Sequence, residues 1–280
     1  MKITLVGVGL IGGSMALKLK STGFTNYIFG VDRSEKHLEE ALNLGIIDEK
    51  SSLENAISQS DIIILAIPVD ATENFLPKIL DLIQDHHTVF DVGSTKLGIV
   101  NAVANHPNRN RFVAFHPMWG TENSGPKSAL VESFSGRAAV LCDRQNSAED
   151  AVKVVENIVE HLGMHLIEMS AEAHDIHTAY ISHISHITSY ALANTVLEKE
   201  REEDTIFQLA SSGFDSTVRL AKSHPEMWIP IFKANRENVL DVLNEHISQL
   251  RKFKSALEKE NDELLEDLIR NANKIRGILR

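Results

Sequence analysis

The first stretch of the chain, residues 1–33, reads MKITLVGVGLIGGSMALKLKSTGFTNYIFGVDR and predicts a strand, a turn, a helix and a second strand. The apolar residues before Gly7 are typical of a buried strand, and Gly7, Gly9 and Gly12 form a Gly-x-Gly-x-x-Gly turn that opens a helix. Glycines let the backbone approach a pyrophosphate, and the N–H groups at the helix start favour an anion. The triplet alone would also fit a tight packing turn. With the flanking elements, it predicts a dinucleotide site.

The acid that follows the second strand indicates which dinucleotide is bound. Asp32 lies about 20 residues beyond Gly12, where a carboxylate accepts hydrogen bonds from both ribose hydroxyls, and this favours NAD over NADP. Arg33 is the opposing signal, because an arginine here can bind a 2′-phosphate. The expected NAD contacts come from the turn, the helix start, the acid, its neighbour and the end of the third predicted strand. They are Gly7, Gly9, Leu10, Ile11, Gly12, Asp32, Arg33 and Pro68.

The composition is that of an ordinary globular protein. The chain has 280 residues, of which 43% are hydrophobic and 24% charged, and this is long enough for two domains. The net charge of −11 opposes general binding to nucleic acid or anionic membranes. The single cysteine, Cys142, lies in an apolar run and predicts a buried strand residue without a disulfide. With Met1 directly before the first strand and no long apolar stretch, we expect a cytoplasmic protein without a signal peptide.

Apolar runs alternate with helical patterns as far as residue 169. The runs that predict strands are 62–68, 88–93, 111–117, 138–143 and 164–169, and the helical patterns include 35–44, 71–83 and 148–162. This alternation predicts a Rossmann-type, doubly wound and mostly parallel α/β sheet. From residue 170 the pattern becomes helical, beginning with one long helix, and predicts an all-α C-terminal domain. We therefore expect domains at 1–169 and 170–280, and the stretch 235–280 fits a solvated amphipathic helical hairpin.

Ligands of open α/β sheets bind beyond the carboxyl ends of the strands. Ser94 and His116 each follow or end an apolar run at that edge, where a nicotinamide would lie. A lone serine or histidine there more often stabilises a turn. A neutral histidine, however, suits removal of a hydroxyl proton as hydride leaves the same carbon, and this makes His116 the candidate base.

Two further groups in the helical part are candidates. His183 and His186 lie three residues apart on one helix face, and they fit substrate or domain-interface contacts, buried histidines bound to backbone, or metal ligands lacking a third partner. His174 is half a turn out of phase with His183 on an ideal helix and shares their site only if the helix bends or begins later. Arg219 is either a solvated surface residue or a clamp for a substrate carboxylate.

The chain resembles the prephenate and arogenate dehydrogenases of tyrosine biosynthesis over nearly its whole length. The resemblance is carried by five stretches: VGVGLIGGS (6–14), DVGSTK (91–96), HPMWGTENSG (116–125), ISHISH (181–186) and the cluster 213–228, which ends in HPEMW. It implies NAD-dependent oxidative decarboxylation of prephenate, or of arogenate, in a homodimer formed through the helical domain. From the residue pattern itself, which shows no βαββαβ-like repeat after the helical region and no third ligand for the histidine pair, we expect no regulatory domain and no metal. The resemblance also implies that His116 is the base, Ser94 orients it, Glu122 gates or orders the pocket, and Arg219 binds a substrate carboxylate. His183 and His186 would border the substrate.

Three positions depart from the family pattern. Trp119 stands where a small residue is usual, Ser185 replaces a proline and lets the helix run on, and Asp215 replaces a basic residue four positions before Arg219. If Asp215 faced the pocket, it would favour the amine of arogenate over prephenate. Two other classes remain open, namely a different hydroxyacid dehydrogenase and a non-catalytic NAD sensor. A lysine base on the first helix of the second domain would indicate the former, but this chain has the histidine pair there.

Overall fold

The computed structural model describes residues 1–203 and 205–278. Its strands are β1 (Lys2–Val6), β2 (Tyr27–Val31), β3 (Glu49–Lys50), β4 (Ile62–Leu65), β5 (Thr88–Asp91), β6 (Phe112–Pro117), β7 (Ala138–Cys142) and β8 (His165–Met169). They form one sheet in the order β3-β2-β1-β4-β5-β6-β7-β8. All neighbours are parallel except β6 and β7. The predicted mostly parallel, doubly wound sheet is confirmed, and the carboxyl ends of β1, β2, β4, β5 and β6 share one edge.

The helices of the sheet region are α1 (Leu10–Ser21), α2 (Glu35–Asn43), α3 (Leu53–Gln59), α4 (Val69–Leu82), α5 (Leu97–Ala102) and α6 (Glu149–Leu162). Those of the C-terminal region are α7 (Ala171–Thr178), α8 (Ile184–Glu203), α9 (Ser212–Val218), α10 (Pro225–Ala234), α11 (Arg236–Glu258) and α12 (Asp262–Asn273). The sequence prediction omits β3, α3 and α5. These elements are short, and a few residues do not establish a period in a sequence.

Helices cover both faces of the sheet. Apolar side chains of α1, α2 and α6 pack on one face, and those of α3, α4 and α5 pack on the other. The central strands are therefore apolar throughout rather than alternating. Phe90 of β5 and Phe115 of β6 pack edge to face with ring centroids 5.8 Å apart, both fully buried. Cys142 is buried in β7, as predicted, without a disulfide. This packing holds the ends of β5 and β6, which carry site residues, at a fixed distance.

The chain passes from β8 into α7 through Ser170, whose side chain accepts a hydrogen bond from the Ala173 N–H at 3.1 Å. By internal contacts the chain divides into two compact units, Met1–Asn235 and Arg236–Arg280. The predicted domain boundary after residue 169 stays a prediction. The second unit contains α11 and α12, with Asn261 capping the latter, and residues 279 and 280 of the predicted tail lie outside the described part. No helix among the described residues is long and apolar enough to span a membrane.

Candidate active site

The glycine turn between β1 and α1 is shaped for an anion that approaches the backbone. Gly7 has φ +93°, and a Cβ added to Gly12 would lie 2.3 Å from the Gly7 carbonyl oxygen, so both positions require glycine. Gly9, which precedes α1, has no atom within 4 Å of its added Cβ. The first N–H groups of α1, including those of Leu10 and Ile11, have no partner within the helix. The open space and the free donors together fit a pyrophosphate.

Asp32 lies directly after β2, next to this turn. Its carboxylate accepts hydrogen bonds from the N–H groups of Val8 at 3.1 Å and Ser34 at 2.8 Å, so the acid is fixed against the glycine turn. Each oxygen retains a lone pair for a ribose hydroxyl. Arg33 is exposed and lies 3.6 Å from Glu226. Pro68 is exposed at the start of α4. The predicted dinucleotide residues thus lie around the same strand ends.

Ser94 lies in the loop after β5, which is fixed by a buried ion pair. Lys96 and Asp91 are both fully buried and paired, and the lysine ammonium also donates to the Phe115 carbonyl at 2.8 Å. Burial raises the pKa of Asp91, and Lys96 opposes that rise. Ser94 itself is half-buried, and its hydroxyl has no hydrogen-bond partner within residues 1–203 and 205–278. The Ser94 hydroxyl is thus available to a ligand.

His116, near the end of β6, belongs to a buried chain of hydrogen bonds. It is 9% exposed, and its Nδ1 lies 2.8 Å from Nε2 of His174 in α7. Nδ1 of His174 lies 2.8 Å from a carboxylate oxygen of Asp175. Burial, with smaller contributions from His174, Lys96 and His183, holds the pKa of His116 well below 6.5. His116 is therefore neutral near pH 7 and able to accept a proton.

A π-helical turn lies between His174 and His183. Residues Ala179–His183 form this turn between α7 and α8, and the wider turn changes the phase of the helix by about one residue. Asn235 connects the two positions, because its Nδ2 lies 2.6 Å from the Asp175 carbonyl oxygen and 3.2 Å from His183 Nδ1. The long predicted helix therefore runs on, but not as a uniform α-helix. The π turn supplies the change of phase that an ideal helix lacks between His174 and His183.

The two histidines at 183 and 186 differ in burial and contacts. His183 is fully buried, and burial lowers its pKa to about 4. Its Nε2 has no hydrogen-bond partner in the described part of the chain. His186 is half-buried and donates from Nδ1 to the Ser182 carbonyl at 3.0 Å, and burial lowers its pKa to about 4 as well. The ring of Trp228 stacks on His186 with centroids 3.4 Å apart, so His186 and Trp228 form a stacked aromatic pair.

Arg219 makes an ion pair with Glu122. The distance is 2.8 Å, and the arginine side chain is half exposed. The backbone N–H of Glu122 and the Arg219 guanidinium hold the pKa of the Glu122 carboxyl below its usual value. Two bonds of Ser189 in α8, to the Thr217 carbonyl at 3.0 Å and from the Ala221 N–H at 3.1 Å, fix the segment that carries the arginine. The guanidinium therefore already holds one carboxylate.

The three departures from the family pattern each have a local structural partner. Trp119 packs edge to face on the buried Phe134, with centroids 5.2 Å apart, and joins the apolar core. Ser185, in the first turn of α8, donates to the carbonyl of Ile181 in the π turn at 3.2 Å. Asp215 is exposed and paired with Lys222 at 2.9 Å, so its carboxylate is neutralised within its own segment.

Sequence reasoning missed part of this site. Asp175 and Asn235 carry no motif, and His174 stood apart because of the helix phase. The signal that could have found Asp175 is its position beside a histidine in the HDIH stretch (174–177). No group of three or more His, Cys, Asp or Glu side chains that could hold a metal ion occurs among residues 1–203 and 205–278.

The fold and the strand-end site define a dehydrogenase that uses a nicotinamide dinucleotide. Residues 15–168 match the family model "Prephenate dehydrogenase, nucleotide-binding domain", and residues 170–271 match "Prephenate dehydrogenase, dimerization domain". The chain therefore belongs to the prephenate dehydrogenase family of NAD-dependent oxidoreductases.

Individual relatives agree with this assignment. Prephenate dehydrogenase of Bacillus subtilis is 34% identical over 266 residues, which cover 94% of this chain and 72% of that protein. Cyclohexadienyl dehydrogenase of Zymomonas mobilis is 28% identical, covering 99% of this chain and 96% of the relative. The crystal structure of Aquifex aeolicus prephenate dehydrogenase in complex with hydroxyphenyl propionate and NAD+ is 32% identical with a TM-score of 0.90, covering 99% and 98% of the two chains.

Proposed function

We propose that this protein oxidises prephenate with NAD and releases carbon dioxide, giving 4-hydroxyphenylpyruvate. NAD accepts a hydride from the ring carbon that bears the hydroxyl. The hydroxyl proton goes to His116, the ring carboxylate leaves as carbon dioxide, and its bonding electrons complete the aromatic ring. The phenolate oxygen formed in this way takes the proton back from His116, which returns to its neutral form. The observation that carries the proposal is the buried, neutral His116 at the same sheet edge as the glycine turn and Ser94.

The contacts support the following residue roles. His116 is the general base, and the unpartnered hydroxyl of Ser94 orients it and the nicotinamide. Arg219 binds a substrate carboxylate, which replaces Glu122 in the existing ion pair, so Glu122 gates the pocket. His183 and His186, with the stacked Trp228, border the substrate ring.

The cofactor contacts are proposed on the same basis. Gly7, Gly9 and Gly12 leave room for the pyrophosphate, and the N–H groups of Leu10 and Ile11 face it. Asp32 accepts from the ribose hydroxyls. Arg33 and Pro68 line the rim.

The experiment is to mix purified protein with NAD and either prephenate or arogenate, and to follow the absorbance of reduced nicotinamide. Turnover with prephenate supports the proposal. Normal NAD binding without turnover on either substrate would contradict it and favour another hydroxyacid dehydrogenase or the non-catalytic sensor.

Arogenate is the second candidate substrate, because the Zymomonas relative is named a cyclohexadienyl dehydrogenase and an arogenate dehydrogenase of Synechocystis is 26% identical with a TM-score of 0.76. The ion pair of Asp215 with Lys222 favours prephenate, since that carboxylate is already bound to a lysine and not set to receive an amine. Rates with the two substrates decide between them.

We further propose a homodimer formed through residues 170–280, on the match to the family's dimerization domain, with the domain division after Met169. The cytoplasm is the proposed compartment, because the single cysteine is buried and unpaired and the substrate belongs to amino-acid biosynthesis.

A further inference from the structure

We infer that Asp175 and His174 are positioning residues that fix the tautomer of His116, so that its Nε2 carries the lone pair that accepts the substrate proton. This inference rests on the proposed role of His116 as the base. It concerns how the neutral ring is kept in the one form that can act, and it assigns a function to two residues outside the motifs.

The Asp175 carboxylate fixes the first proton of this chain of hydrogen bonds. One oxygen accepts from the Lys96 backbone N–H at 2.7 Å, and the other accepts from the Leu97 N–H at 2.9 Å. Because these two N–H groups donate to it, the Asp175 carboxylate acts as a hydrogen-bond acceptor. Nδ1 of His174, 2.8 Å from the same carboxylate, must carry a proton in order to bond with it.

The second nitrogen of His174, Nε2, faces His116. Burial lowers the pKa of His174, with Asp175 opposing, and the ring is neutral at pH 7. A neutral imidazole with a proton on Nδ1 has a lone pair on Nε2. That lone pair faces Nδ1 of His116 at 2.8 Å, so His116 must donate from Nδ1. The opposite tautomer of His116 would set two lone pairs against each other.

The remaining nitrogen of His116 is thereby determined. With the proton on Nδ1, Nε2 holds the lone pair, and it has no protein partner in the described part of the chain. When Nε2 takes the hydroxyl proton, the imidazolium keeps its Nδ1–H bond to His174, and the Asp175 carboxylate stabilises the developing charge through that ring. No oxidant or further reactant is needed for this step.

A closed ring of contacts holds this arrangement rigid. The Lys96 ammonium donates to the carbonyl of Phe115, the residue before His116, while the Lys96 backbone N–H binds Asp175. The loop after β5, strand β6 and helix α7 are thus joined in a circuit. The charged or titratable groups that face the two imidazoles are Lys96, Asp91, Asp175 and His183.

The test uses two substitutions at one position. His174→Leu removes the acceptor but keeps the bulk and leaves the Asp175 bonds to the loop intact. His174→Gln restores an acceptor oxygen for His116 and a donor for Asp175. We expect His174→Leu to lower kcat roughly 10²- to 10³-fold with little change in NAD affinity or in KM, and His174→Gln to recover activity to within about tenfold of the native protein.

A direct readout distinguishes tautomer control from simple packing. In protein labelled with 15N-histidine, the ring nitrogens of His116, assigned by their loss in His116→Asn, report which one bears the proton. We expect a protonated Nδ1 in the native protein and in His174→Gln, and a mixture of tautomers in His174→Leu. His177 is exposed on the same helix, and His177→Leu is the matched control, with unchanged kcat and an unchanged His116 spectrum.

Asp175→Asn extends the test, because an amide turned toward His174 would reverse both tautomers; Glu172→Gln, an exposed change on α7, is its control. The inference is overturned if His174→Leu keeps the native kcat, or if both His174 variants lose activity equally while the His116 tautomer stays unchanged. Undiminished turnover in His116→Asn would instead overturn the base assignment itself, so the two failures are distinguishable.

Discussion

The dinucleotide turn, with Asp32 beside it, and the histidine cluster, which consists of His116, His174, Lys96 and Asp175, differ in how far apart along the chain their bonded residues lie. Asp32 bonds to Val8, 24 residues away, and the turn around Gly9 is open. His116 bonds to His174, 58 residues away, and Lys96 bonds to Asp175, 79 residues away, all of them buried. One half of the site is local and open, and the other is long-range and enclosed.

This difference has energetic consequences. An exposed contact that is lost can be replaced by water, whereas a buried polar group that loses its partner has no replacement. For each hydrogen bond removed, substitutions in the histidine cluster should therefore cost more free energy than substitutions around the dinucleotide turn.

The largest effect is expected at His116. His116→Asn removes the base but keeps a polar side chain, and we expect kcat to fall by roughly two to four orders of magnitude. NAD affinity, measured by titration, should stay nearly unchanged, because the glycine turn is separate. Undiminished kcat would remove His116 from the mechanism and with it the contrast between the two halves.

The second effect concerns stability against pH and the buried His183. The pKa of this ring is about 4 in the folded protein and 6.5 as its ordinary value. Between these values the unfolded chain binds a proton that the folded protein does not, so the free energy of unfolding falls as the pH drops from 6.5 towards 4. This one group accounts for about 3 kcal/mol of that fall.

Denaturant unfolding at pH 7 and near pH 4 measures this contribution. His183→Gln should lose less stability over that range than the native protein does. The exposed His177→Gln should behave like the native protein. An identical pH dependence in His183→Gln would show that the buried ring does not resist protonation.

The same contrast explains how much could be predicted from the sequence. The glycine turn and Asp32 form one contiguous pattern, and the long apolar strands and periodic helices such as α4 and α6 carry strong signals. The π turn at Ala179–His183 has no such signal, because its phase change depends on packing around Asn235 and Trp228. Asp175 was missed for a similar reason. Its partners, the N–H groups of Lys96 and Leu97, are 79 and 78 residues away along the chain, and only folding brings them near Asp175.

The third effect is expected at the partly exposed Arg219. Arg219→Ala should raise the substrate KM about 10- to 100-fold, because a charge-assisted hydrogen bond to a carboxylate is lost. The matched control is Lys222→Ala, which removes an exposed cation of the same segment that is paired with Asp215. Steady-state kinetics with saturating NAD measure both variants, and an equal rise in the two would indicate general charge attraction instead of a specific clamp.

The smallest effect is expected in the open half, at Asp32. Asp32→Ala should weaken NAD binding about tenfold and reduce the preference over NADP, because the carboxylate that accepts from the ribose hydroxyls is removed. Glu35→Ala, which removes an exposed neighbouring carboxylate paired with Lys50, is the control and should leave NAD binding unchanged. If the unaltered protein uses both NAD and NADP, and Arg33→Ala abolishes only the use of NADP, then Arg33 and not Asp32 governs the choice of cofactor. If NAD binding in Asp32→Ala fell by as large a factor as kcat falls in His116→Asn, the hydrogen bond from Val8 would be what holds the glycine turn in shape. The open half of the site would then depend on its hydrogen-bond partners as strongly as the buried half does.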